Sequence, residues 1–181
     1  VSMSELNSGR FTERTSGELE AALKAELAKN PKGLILDLRG NPGGLLSSAV
    51  DVTDKFLDAG HVVVTTKGRR PEQSRSEETR TPALVPKEIP VVVLVNGRSA
   101  SASEIVAGAI QDWDRGLILG TQTFGKGSVQ TVRQLGANQA LKLTTAAYYT
   151  PSGRSIHNAS RRNYRGGPIE LTLADSMRVS V

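Results

Sequence analysis

Three observations predict an α/β fold. Short apolar runs of strand length, bounded by turn residues, alternate with stretches whose apolar residues recur at helical spacing. The order reads strand, helix, strand, helix, strand, and hairpins come only late in the chain. No apolar run approaches the roughly 20 residues that span a bilayer, while 38% hydrophobic and 23% charged residues suit a packed core. A length of 181 residues fits one domain, so residues 1–181 are read as a single unit.

The elements follow in order. Val1-Ser2-Met3-Ser4-Glu5-Leu6 alternates and is expected to form an edge strand. Thr15 or Ser16 should cap a helix carrying Leu19, Ala22, Leu23 and Leu27, which Asn30-Pro31 stops. Gly33 to Leu38 has the pattern of a buried strand. A turn at Arg39 to Gly44 leads to a second helix bearing Leu46, Val50, Thr53 and Leu57. Val62 to Thr66 is the next strand, and the polar stretch Lys67 to Glu88 reads as a loop or flap. Val91 to Val95 is the best buried strand, leading through Asn96 to Ala100 into an Ala-rich helix from Ala102 to Gln111. Leu117 to Leu119 is a short strand, Gly120 to Gly127 a Gly-rich loop, and Val129 to Arg133 alternates. Gly136-Ala137-Asn138 turns into Leu141 to Thr145 as a hairpin. The strands are expected to lie mostly under helices. Residues 158–181 give no firm pattern.

Composition removes several classes of function. Lys and Arg exceed Asp and Glu by 23 − 18 = +5, without a dense basic block, so the charge reads as a solvated surface. Aromatics at 4% argue against a base-stacking platform, and no nucleic-acid partner is expected. The absence of Cys removes thiol nucleophiles and thiolate metal sites, and no metal site is expected. The chain opens on Val1 with no visible targeting segment and is expected to be a piece of something longer.

Three loops could carry chemistry. Asn96 to Glu104 joins the strongest strand to a helix, whose free first-turn N–H groups can hold an oxyanion beside an exposed serine. The same residues, Ser101-x-x-Glu104, also make an ordinary capping box. Gly97-Arg98-Ser99-Ala100-Ser101 nearly matches the elbow G-x-S-x-G, which would make Ser99 the nucleophile of a hydrolase with Asp112 or Asp114 and His157. Gly120 to Ser128 satisfies G-x-x-x-x-G-K, yet Gly127 stands where a phosphate loop needs Ser or Thr, and a strand follows rather than a helix. Asp37 to Gly44 ends a buried strand with residues that let backbone N–H groups face a cleft. Taken singly, each loop is better explained as an ordinary turn.

Taken together, Asp37-Leu38-Arg39-Gly40-Asn41-Pro42-Gly43-Gly44, Ser99 to Glu104, Thr123 to Gln130 and Tyr148 to Ile156 resemble the carboxyl-terminal processing peptidases, or tail-specific proteases. The resemblance covers roughly residues 19–156, with its motifs in family order. It implies a crotonase-like or Clp-protease-like spiral of strands and helices and a serine endopeptidase working through a Ser-Lys dyad without cofactor. By that resemblance Ser101 is the nucleophile, Lys126 the general base, and Gln130 the residue that orients the lysine. The Ala102 N–H, with that of Gly43 or Gly44, would form the oxyanion hole. A lysine acts as a base only when neutral, and burial between Gly125 and Gly127 is the expected means. The resemblance further implies an unstructured C-terminal tail as substrate, a PDZ module or adaptor outside this chain, an extracytoplasmic location, and leaves oligomerisation open. Runner-up readings are the Ser99–His157 hydrolase and a catalytically silent peptide-binding domain of the same fold.

Overall fold

A computed structural model describes residues 10–70, 72, 74–136 and 139–157. The elements run α1 (Thr15–Leu27), β1 (Leu34–Asp37), α2 (Leu46–Thr53), β2 (Val62–Gly68), β3 (Arg75–Glu78), β4 (Val91–Val95), α3 (Ala102–Asp112), β5 (Leu117–Gly120), β6 (Ser128–Gly136) and β7 (Gln139–Tyr149). The edge strand expected at residues 1–6 lies outside the described residues, as does the stretch 158–181.

β4 is the centre of a parallel sheet ordered β1-β4-β5, with Leu34 opposite Val91 and Val92 opposite Leu117. Its Val-rich sequence suits a strand that is covered above and paired on both sides. Leu36, Val93 and Val95 point into a core shared with Phe56, Ile105 and Ile110. The opposite face is more open, because Ile35 and Leu119 remain 39% and 43% exposed. Burial under helices therefore holds for one face of this sheet only.

The second sheet is antiparallel and ordered β3-β2-β7-β6. β3 corrects the reading of 67–88 as a loop: Arg75–Glu78 pairs with β2, and charge on an exposed edge hid the strand. The rest of that segment is no loose flap. Asp54 accepts the Arg80 and Thr81 N–H groups at 2.6 and 3.1 Å, and Val85 is wholly buried. Arg115 donates to the carbonyls of Phe56, Ile89 and Pro86, locking 85–89 down, and burial lowers its pKa. β6 and β7 form a long hairpin in which Gly136 pairs with Gln139. Contrary to expectation the hairpin is not under helices: Val132 and Leu135 are 61% and 63% exposed.

Helix boundaries shift in small ways. Arg14 rather than Thr15 or Ser16 takes the α1 cap position. Thr15 instead accepts the Thr12 N–H at 2.9 Å, and Ser16 donates to the Asp51 carbonyl. Asn30 at φ 52° turns the chain out of α1 as a left-handed residue does. α2 ends at Thr53, before Leu57, although Leu57 is buried as its apolar character requires.

Candidate active site

Every group of interest lies where the loops after β1, β4 and β5 meet the first turn of α3. The chain leaves β4 through Asn96, whose Oδ1 accepts the N–H groups of Gly40 and Arg98 at 3.0 Å each. This joins the loop after β1 to the loop after β4. Ser101 then takes φ 55° and ψ −113° as the residue capping α3. A non-glycine residue in that region is strained by about 1–3 kcal/mol and persists only where its surroundings fix it. The turn sets a half-buried serine at the head of an 11-residue helix. The N–H of Ala102, the first helical residue, has no hydrogen-bond partner among the described residues, as the geometry of a helix start dictates.

The fixing group is Glu104. Its side chain, 95% buried, accepts the Ser101 N–H at 2.8 Å, the Gly125 N–H at 2.6 Å and the Lys126 N–H at 2.8 Å. One carboxyl thereby binds the backbone of the serine turn to the backbone of the lysine loop. Phe124 adds a second tie, its N–H donating to the Ser99 carbonyl at 2.8 Å. The sequence showed Glu104 only as the third residue of a capping box. Its link to residues more than twenty positions later is a contact between loops, which spacing cannot reveal.

Lys126 is brought to this region by its backbone, but its side chain departs from expectation. It is exposed rather than buried between glycines, and its ammonium makes no hydrogen bond or ion pair among the described residues. Gly127 is buried, with the Ile156–His157 backbone against it. Burial falls on the glycine because the chain is thinnest there. Gln130, two residues into β6, is exposed and its side chain likewise bonds to nothing described. No hydrogen bond joins Ser101 to Lys126 in this state.

The loop after β1 supplies the remaining wall. Gly43 has φ 89°, and a Cβ there would lie 2.4 Å from the Ala100 carbonyl oxygen and 2.7 Å from the Ala102 nitrogen. Only glycine permits that approach. Asn41 fixes the loop: its carbonyl accepts the Ala100 N–H and the Ser103 hydroxyl, and its Oδ1 accepts the Gly43 N–H at 2.9 Å. The Gly43 N–H is therefore occupied, whereas the Gly44 N–H has no partner among the described residues. Beside them Arg39 grips Asp37 through both carboxyl oxygens and holds that carboxyl below its ordinary pKa.

The Ser99 hydrolase does not assemble. Ser99 is fully buried, its hydroxyl donating to the Leu38 carbonyl at 2.7 Å and accepting the Asn96 N–H at 3.0 Å. Asp112 is engaged by Arg154 and the Ser152 N–H, and Asp114 ends the helix turn at φ 50°. His157 is placed by its backbone against Gly127, with its N–H on the Ser155 hydroxyl, and no hydrogen bond or ion pair joins its ring to either acid or to Ser99 among the described residues. Ser99→Ala should thus behave as a stability variant. It leaves the part-buried Asn96 N–H without its acceptor, while the Leu38 carbonyl keeps the Asn41 N–H at 3.2 Å, and should lower stability by about 1–3 kcal/mol; any peptide hydrolysis by the folded protein should be unchanged, and a thermal melt beside an activity assay reads both. The phosphate-loop reading fails on similar grounds, since the Gly125 and Lys126 N–H groups that would cradle a phosphate are already spent on Glu104. Among the described residues no group of three His, Cys, Asp or Glu could hold a metal ion.

Comparison with known proteins places these loops in context. The model of "Peptidase family S41" matches residues 4–161. The chain is 55% identical over 151 residues to a carboxy-terminal-processing protease of Bartonella bacilliformis, covering 81% of this chain and 34% of that protein. It is 40% identical over 149 residues to a Staphylococcus aureus protein named "Probable CtpA-like serine protease", covering 82% of this chain and 30% of that one. Among solved structures, the photosystem II D1 C-terminal processing protease superposes with a TM-score of 0.72 at 36% identity, over 82% of this chain and 38% of that chain. The chain spans about a third of the length of these relatives.

Proposed function

The chain belongs to peptidase family S41, and from that premise we propose that it is the hydrolytic core of a serine endopeptidase cutting polypeptides near their C-termini. Ser101 Oγ attacks the scissile carbonyl while Lys126 Nζ takes its proton. The peptide C–N bond then breaks as the lysine returns that proton to the departing amine. Water, activated by the same lysine, releases the acyl group from Ser101. The negative oxygen of each tetrahedral state would be held by the N–H groups of Ala102 and Gly44, both without another partner. Gly43 is the poorer candidate, because Asn41 already takes its N–H, and its part is to let the loop approach.

The observation that carries this reading is the shared carboxyl of Glu104, which sets the strained serine and the lysine backbone on one anchor. Lys126 as described is a resting arrangement. Its exposed amine must turn toward Ser101 and leave water, with Gln130 holding it, when a polypeptide or a further part of a longer protein covers the cleft. Selection of a tail is assigned to a PDZ module or adaptor beyond this chain, and the site of action to a compartment outside the cytoplasm. No described helix is long and apolar enough to cross a membrane.

Acid quenching during turnover of an activated peptide ester tests the assignment. An acyl adduct should appear on the peptide containing Ser101 and vanish in Ser101→Ala. Hydrolysis with the adduct on Ser99, or undiminished in Ser101→Ala, would overturn it.

A further inference from the structure

One end of the antiparallel sheet gathers charge that the sequence keeps apart. β2 pairs only with the last part of β7, Thr65 opposite Tyr149 and Gly68 opposite Ala146. The two strands are antiparallel, so β7 from Gln139 to Thr145 runs on past the end of β2, on the side of the turn that joins β2 to β3. Over that length its one neighbouring strand among the described residues is β6. At about 3.4 Å per residue the two-stranded arm reaches roughly 24 Å beyond Gly68. Residues 130–135 and 139–144 are all exposed.

The turn and the arm together hold exposed Lys67, Arg69, Arg70, Arg75, Arg133 and Lys142 against Glu72, a local balance of 6 − 1 = +5 among the described residues. The whole chain carries +5. Along the sequence these cations fall in two distant groups, neither of them dense, and the strand register brings them to one end. Glu77 and Glu78 sit farther back, opposite Val64 and Val62, and Glu77 faces Arg80 at 3.6 Å.

The arm is also apolar. Leu141 and Leu143 share a face of the ribbon with their register partners Arg133 and Thr131, and are 41% and 46% exposed. Leu135, nearer the turn, is 63% exposed, and Val132, paired with Lys142, 61%. A two-stranded ribbon is marginal in water by itself, and an exposed apolar cluster marks a contact surface. Apolar side chains interleaved with cations, and no carboxylate among the arm's described residues, fit the boundary of an anionic bilayer. There the acyl region takes the leucines while long cationic side chains reach back to the phosphates. A second copy of the chain would meet this end with the same positive charge, which opposes self-association through it.

We propose that this end of the sheet is a membrane-docking surface: the β6–β7 arm sets its leucines into the interface of an anionic phospholipid bilayer, and the surrounding cations bind the headgroups. None of these cations or apolar side chains has a part in the peptidase chemistry, so the surface stands or falls apart from it.

Co-sedimentation of the full chain with vesicles tests this, using phosphatidylcholine alone and an equal mixture with phosphatidylglycerol. Binding should require the anionic lipid and fall steeply when added salt shortens the screening length from about 10 Å to about 3 Å. Each cation near such a surface contributes about fivefold. Arg133→Glu, a change of two charges, should therefore weaken binding by roughly twenty- to thirtyfold. Lys32→Glu makes the same change on an exposed residue ahead of β1 and should alter binding by less than about twofold. Leu141→Ser with Leu143→Ser should weaken it by about tenfold or more. No binding to the mixed vesicles, binding indifferent to salt or to anionic lipid, or equal losses in Arg133→Glu and Lys32→Glu would overturn the proposal. A dimer in sedimentation velocity that the two leucine substitutions dissolve would overturn it as well, by giving the arm to a second copy.

Discussion

Lys126→Ala is expected to lower kcat/KM for peptide hydrolysis by about a thousandfold, the usual range for removing a general base being about 10²–10⁴. The thermal midpoint should hardly move. The side chain is exposed and bonded to nothing described, and substitutions of that kind stay within about 0.5 kcal/mol. The backbone N–H that meets Glu104 survives the change, so the loop keeps its place. Few residues in the chain separate reaction from stability so cleanly. Peptide turnover by mass spectrometry, alongside a thermal melt, measures both. Turnover at the unmutated rate in a folded variant would remove Lys126 from the mechanism.

Glu104→Gln should affect both properties. The side chain accepts three backbone N–H groups, and an amide keeps one oxygen while turning an NH₂ donor toward donors already there. Each buried N–H left unpaired costs about 1–3 kcal/mol, a large share of the roughly 5–15 kcal/mol that holds a domain together. A fall in thermal midpoint of roughly 5–15 °C is expected on the usual scaling for this size. In the folded fraction, kcat should drop by about a hundredfold or more, since the serine and lysine backbones lose their common anchor. KM should change little, because Glu104 is buried away from any bound peptide. A variant with lowered midpoint but unchanged kcat would make Glu104 a structural cap and nothing more.

What could be read from the sequence follows a physical line. β1, β4 and α3 were visible because burial writes itself as apolar runs and helical spacing. The Ser101 turn and the Gly43 approach were visible through small residues that nothing else in the fold requires. β3 was not, since an edge strand that faces water and is guarded by Arg75, Glu77 and Glu78 has the composition of a loop. The exposure of Lys126 was missed for a related cause. A pattern tells which residues can be covered, while what covers them depends on neighbours far along the chain or outside it. Glu104 sits between these cases: its type and spacing were plain, and its second and third partners were set only by folding. The engagement of the Gly43 N–H by the Asn41 side chain, on which the proposal of Gly44 rests, is likewise something no spacing rule anticipates.

The left-handed backbone at Ser101 has a historical consequence. The mirror image of its φ 55° and ψ −113° is an ordinary extended conformation, open to glycine without penalty. On the proposed mechanism, reaction and durability therefore pull that position toward different residues. A descendant released from its chemistry would gain about 1–3 kcal/mol by exchanging the serine for glycine. Decayed copies of this fold should thus be recognisable by glycine at the head of the third helix.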